Sequence, residues 1–133
     1  MRKRALPVLL LLLLAADAAV WAQVPTSNVL YRVLRLRNEG ATGSAFTIEV
    51  DGKQYLITAR HLLKEFKGEI ELWIGGRWSK RKARAIYPSK AIVDIAALDM
   101  GGPITVTFPL EASSGGLTLG QQAFFLGYPH GLG

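Results

Sequence analysis

The sequence predicts an all-β fold, a six-stranded antiparallel barrel, and three observations carry that prediction. Apolar and polar residues alternate with period two along several short segments. Two of the links between such segments, Asp51-Gly52 and Gly75-Gly76, are two-residue pairs that favour tight hairpin turns. Only one stretch, Arg60 to Phe66, changes to a helical period. A sandwich would satisfy the same pattern, but closing a barrel removes the exposed edges that an open sheet would leave.

Taken in order, the chain begins with basic Met1-Arg2-Lys3-Arg4, a leucine-dominated run from Ala5 to Ala16, and the small-residue pattern of Val20-Trp21-Ala22. Residues 1–22 therefore read as an export signal, with the mature chain starting near Gln23. The competing reading is a membrane anchor. It fits less well, because the run falls short of the roughly 20 apolar residues a spanning helix needs, and Asp17 interrupts it. An exported chain, periplasmic or secreted, with no stable membrane span after cleavage is the expectation.

Val29 to Arg37 reads as the first strand, with Val29, Tyr31 and Val33 alternating, although Leu30, Leu34 and Arg37 would also suit a helix face. Glu39 to Gly43 reads as a loop. Ser44 to Val50 alternates, with Phe46, Ile48 and Val50 on one face and Thr47 and Glu49 on the other. After Asp51-Gly52 the chain runs back from Lys53 to Ala59. In the helical stretch Leu62, Leu63 and Phe66 fall on one side, with Lys64 and Glu65 outward. Glu69 to Ile74 directs Ile70, Leu72 and Ile74 inward and returns through a basic strand ending at Tyr87. The sixth strand is Ile92 to Leu98, apolar except for Asp94; Asp99, just beyond, is the easier carboxylate to leave in water. Gly101-Gly102-Pro103 through Ser113-Ser114-Gly115-Gly116 reads as a domain linker, and Leu117 to Tyr128 as a last extended segment. The domain division is therefore 1–22, 23–110 and 111–133.

Composition bounds the chemistry. With 133 residues, half apolar and a fifth charged, the chain has room for one globular domain, or for one and part of another. The net charge of +6 falls to about +4 once Arg2, Lys3, Arg4 and Asp17 leave with the signal. Much of the excess lies in Arg77, Lys80, Arg81, Lys82 and Arg84. That run is either a solvated hairpin face or a site for an anionic surface; no aromatic platform is expected among the charges, and export argues against a nucleic-acid partner. The absence of cysteine excludes thiol nucleophiles, thiolate metal sites and thiol redox chemistry. With two histidines far apart, no metal-ligand spacing is visible, and no cofactor is expected.

Two residues stand out as candidates for chemistry, His61 and Asp94. His61 follows an apolar strand where the chain turns, a place that holds an imidazole in one orientation and leaves a ring nitrogen accessible. Taken alone, His61 is better accounted for by a structural hydrogen bond at a helix start. Asp94 interrupts an apolar run, and an ionised carboxylate there needs either solvent or a donor.

Gly43-Ser44-Ala45-Phe46, then Leu56-Ile57-Thr58-Ala59-Arg60-His61, then Asp94-Ile95-Ala96-Ala97-Leu98, then Gly120 to Gly127-Tyr128-Pro129, resemble in that order the trypsin-like serine peptidases. The likeness is to their exported bacterial branch without disulfides, including the HtrA-type proteases, and it covers nearly the whole mature chain. It implies the first barrel of a double barrel, followed by the start of an incomplete second one. It also implies that His61 is the general base and that Asp94 orients it through the other ring nitrogen. A protein or peptide would be the substrate. Ala45 stands where the family often has glycine, and Arg60 where alanine is common; both are accommodated if Arg60 points outward. The family's nucleophile lies in a Gly-Asp/Asn-Ser-Gly-Gly turn well into the second barrel, and no such turn occurs before Gly133. Ser113-Ser114-Gly115-Gly116 falls in the linker instead. The resemblance therefore implies a serine endopeptidase present as an incomplete chain, inactive as given. The alternative is a non-catalytic exported binding module on the same barrel.

Overall fold

The computed structural model describes residues 25–106, 115 and 118–128. The proposed signal, Ser113 and Ser114, Pro129 and His130 lie outside the described residues. A four-residue helix, α1 (Ser27–Leu30), leads into seven strands: β1 (Val33–Asn38), β2 (Ala41–Val50), β3 (Lys53–Thr58), β4 (Glu69–Ile74), β5 (Arg77–Lys82), β6 (Arg84–Ile86) and β7 (Ala96–Asp99). A 3-10 helix, Arg60–Leu63, follows β3. The fold is all-β, as the alternation requires.

All neighbours pair antiparallel, in the order β5-β4-β1-β2-β3-β7-β6. The two ends of that order, β5 and β6, are separated by Ala83 alone. They are two halves of one bent strand, so the sheet curls on itself as a barrel. The predicted fifth, basic strand thus becomes two, broken where the Ala83 N–H turns aside to donate to the Gly68 carbonyl at 2.9 Å.

Each hairpin is tight for a local reason. Glu39-Gly40, Asp51-Gly52 and Gly75-Gly76 all have positive φ at both central positions, the conformation that matches the twist of the flanking strands. The expected loop at Glu39 to Gly43 is therefore shorter than predicted. Glu39 accepts φ 46°, and β2 has already begun at Ala41. At the N-terminal end the predicted strand divides, since Ser27–Leu30 takes the helical alternative and the ladder starts only at Val33.

The core is built from Leu36, Leu56, Ile70, Leu72 and Leu98, with Leu62 and Leu63 of the 3-10 helix plugging it beside Ala45 and Ala96. Ile70 and Leu72 face inward as their alternation predicts. β2 inverts the usual arrangement, however. Thr47 is fully buried, while Phe46 and Val50 are 47% and 48% exposed. The reason is a polar network inside the barrel. Arg32 is buried and donates to Glu49 at 2.6 Å and to Asn28 at 3.1 Å. Gln54 donates to Glu49 at 2.8 Å and accepts from the Ile104 and Thr105 N–H groups at 2.8 and 3.1 Å. The Thr47 and Thr105 hydroxyls meet at 2.5 Å. Buried polar groups held in this way avoid the desolvation cost of lone ones. They also tie the residues after β7 back to the barrel.

None of residues 118–128 belongs to a strand; the segment reaches β2 through the Tyr128 N–H, which donates to Ser44 Oγ at 2.6 Å. Among the described residues no helix is long and apolar enough to cross a membrane.

Candidate functional site

His61 is carried by the 3-10 helix that β3 runs into, and its ring is 58% exposed. The helix is fixed from below by packing and from the side by hydrogen bonds. Leu62 and Leu63 are buried in the barrel mouth. Leu62 lies so close over Gly43 that a Cβ there would run into its Cδ1. Asn38, buried at the end of β1, donates through Nδ2 to the Leu62 carbonyl at 2.9 Å and to the Lys64 carbonyl at 3.0 Å. A 3-10 turn leaves carbonyls without partners of its own. Asn38 supplies the missing donors. Thr58 Oγ1 donates to the Ser44 carbonyl at 2.9 Å and holds the end of β3 against β2.

Asp94 does not lie in a strand. β7 starts at Ala96, because β3 offers ladder partners only for Ala96 to Leu98. Asp94 sits in the loop before it, 55% exposed, while Ile92 stands 92% exposed. The carboxylate nevertheless has donors. Oδ2 lies 2.6 Å from His61 Nδ1, and Oδ1 accepts the His61 backbone N–H at 2.8 Å. The His61 ring hydrogen bond, followed by the His61 backbone N–H, holds the Asp94 carboxyl below the usual aspartate range. Asp94 is thus ionised near neutral pH, and it accepts a proton-bearing Nδ1. That leaves Nε2 as the basic nitrogen of the ring. Among the described residues no hydroxyl is hydrogen-bonded to that nitrogen.

Asp94 has both the solvent and the donors its apolar surroundings called for, whereas Asp99 departs from expectation. Asp99 is the sheltered one, 10% exposed, with Lys53 at 2.7 Å, Arg84 at 3.2 Å and the Gly101 N–H at 3.0 Å. The Lys53 hydrogen bond, then those of Gly101 and Arg84, pull its carboxyl down to about 2. Position in the register decides this, since Asp99 ends β7 opposite Arg84.

Arg60 also departs from expectation. It does not point freely outward; its guanidinium stacks 5.0 Å from the Tyr87 ring centroid, and Nη1 is buried with no hydrogen-bond partner. Trp78 lies among the basic residues of β5, against the expectation that no aromatic stands there. It packs edge-on to Trp73 at 5.4 Å, and Arg37 covers it at 4.4 Å. Asn38 and Gly43 are the positioning residues that sequence reasoning missed. Both sit within turn-like sequence, so nothing local distinguishes a buried donor or a close approach from ordinary hairpin chemistry.

No group of three or more His, Cys, Asp or Glu side chains among the described residues could hold a metal ion. Comparison of the chain with protein-family models, with curated proteins and with solved structures finds no match in any of the three.

Proposed function

We propose that this chain carries the general-base half of an exported trypsin-like serine endopeptidase. The observation that supports the reading most is the His61–Asp94 pair: a carboxylate bonded to Nδ1 at 2.6 Å and to the backbone N–H of the same residue, on the exposed rim of an antiparallel barrel. Two contacts from one carboxylate restrain both the tautomer and the orientation of the imidazole.

In the proposed reaction Nε2 takes the proton from a serine hydroxyl as the oxygen attacks the scissile carbonyl, and later returns it to the leaving amine. Asp94 keeps the Nδ1 proton in place and stabilises the imidazolium formed in between. The attacking serine and the oxyanion donors are assigned to no residue described above. The test uses the product of the whole reading frame. A fluorophosphonate should label one serine, and His61→Ala should abolish both labelling and peptide hydrolysis. No labelled serine would end the peptidase reading.

The second reading is a non-catalytic exported binding module. The apolar outer face of β2, with Phe46 and Val50 about half exposed, is the observation in its favour. It predicts the unlabelled outcome.

A further inference from the structure

We infer that β5 is an open strand edge that captures an extended acidic peptide segment and adds it to the sheet as a further strand. The inference rests on the far end of the sheet order and is independent of the peptidase reading.

β5 pairs with β4 alone, from Glu69↔Lys82 to Ile74↔Arg77. Its opposite row of backbone N–H and C=O groups has no ladder partner among the described residues. Such an edge is a template for another strand. Its limits are set by the Gly75-Gly76 turn at one end and the bend at Ala83 at the other, leaving the six residues of β5 as the docking length.

Charge selects the occupant. Side chains alternate between faces of a strand, which puts Arg77 and Arg81 on one face and Lys80 and Lys82 on the other. All four are exposed. Arg77, Arg81 and Lys82 form no ion pair among the described residues. The neighbouring β4 carboxylates are already engaged, Glu71 by Arg37 at 2.7 Å and Glu69 by Lys80 at 3.5 Å. A second copy of β5 laid along the edge would set cation against cation on both faces, so the edge resists pairing with itself. An acidic strand would find partners on both faces at once.

A polyanion lying flat on the surface would reach the cations of one face only. Nor does β5 offer a free stacking platform for bases, because Trp73 and Arg37 already occupy the surroundings of Trp78. The alternation therefore favours an extended peptide over a nucleic acid.

The test uses the 133-residue chain and an acetylated peptide of about eight residues, rich in Glu and Asp with Val and Thr spacers, by titration calorimetry at low salt. Binding should weaken as salt rises, and amide exchange should slow across residues 77–82. An Arg81→Gln/Lys82→Gln variant should bind roughly tenfold more weakly, as the loss of two exposed ion pairs allows. A peptide of the same composition with a central proline, which cannot complete the ladder, should bind far less well. Equal affinity for the proline peptide or for a single-stranded oligonucleotide would overturn the proposal in favour of a flat polyanion site. Absence of binding, unchanged affinity in the double variant, or protection appearing at residues 60–61 instead of 77–82 would each overturn it as well.

Discussion

Replacing Asn38 with alanine should loosen the turn that presents His61 without touching the histidine itself. Asn38 Nδ2 makes two hydrogen bonds, to the Leu62 carbonyl at 2.9 Å and the Lys64 carbonyl at 3.0 Å, and the first of these is buried. A typical intramolecular hydrogen bond contributes about 1 kcal/mol net, and an acceptor stranded in the interior adds a further penalty of about 1–3 kcal/mol. The sum places Asn38→Ala at about 3 kcal/mol of destabilisation. For a domain of this size each kcal/mol moves the melting temperature by about 4–8 °C, so a drop of about 12–24 °C is expected. Urea unfolding gives the free energy directly. The nuclear magnetic resonance signal of the His61 Nδ1 proton reports whether the bond to Asp94 survives, and it should broaden in the variant. Asn38→Asp is the companion variant: it preserves shape but points a carboxylate at two carbonyls, and it should be at least as harmful as alanine. A loss below about 0.5 kcal/mol for Asn38→Ala, within the range of ordinary surface substitutions, would refute the reasoning. So would wild-type stability for Asn38→Asp.

Gly43→Ala should cost about 1–3 kcal/mol through overpacking against Leu62. Leu62→Ala in the same chain should recover part of that loss, a non-additivity that a double-mutant cycle measures by urea unfolding. Acid should destabilise the barrel in a defined window. The folded Asp99 carboxyl titrates at about 2, below its ordinary value of 3.8. Its contribution is complete above the unfolded value and is lost as the pH falls through the folded one. Stability should therefore decline from about pH 4 towards pH 2, and Asp99→Asn should flatten that part of the profile. In the product of the whole reading frame, Asp94→Asn should lower kcat by about 10³–10⁴ with little change in KM, since it removes the group that selects the tautomer. An unchanged kcat would deny Asp94 that role. Leu72→Ala, at the centre of the core, should cost about 2–5 kcal/mol in urea unfolding, with no effect specific to His61.

Much of the barrel was legible because its signals are local. Positive φ at Asp51-Gly52 and Gly75-Gly76 follows from residue type, and the inward set Ile70 and Leu72 follows from period two. Where reading failed, a distant partner had decided. The burial of Thr47 in place of Phe46 depends on Gln54, Glu49 and Arg32 filling the interior with matched polar groups. The place of Asp94 outside the last strand and the shelter of Asp99 depend on where the ladders of β7 begin and end. The neighbours of Arg60 in sequence give no hint that its guanidinium lies over the Tyr87 ring.

By itself the chain determined the all-β class, the tight turns and the two residues worth watching, since backbone preference and side-chain period act over a few neighbouring positions. Tertiary structure alone decided that 33 residues of separation close to a 2.6 Å hydrogen bond between His61 and Asp94. It decided too that Asn38 and Gly43 hold the turn beneath them, because a hydrogen bond and a steric fit need atoms brought together by the whole sheet.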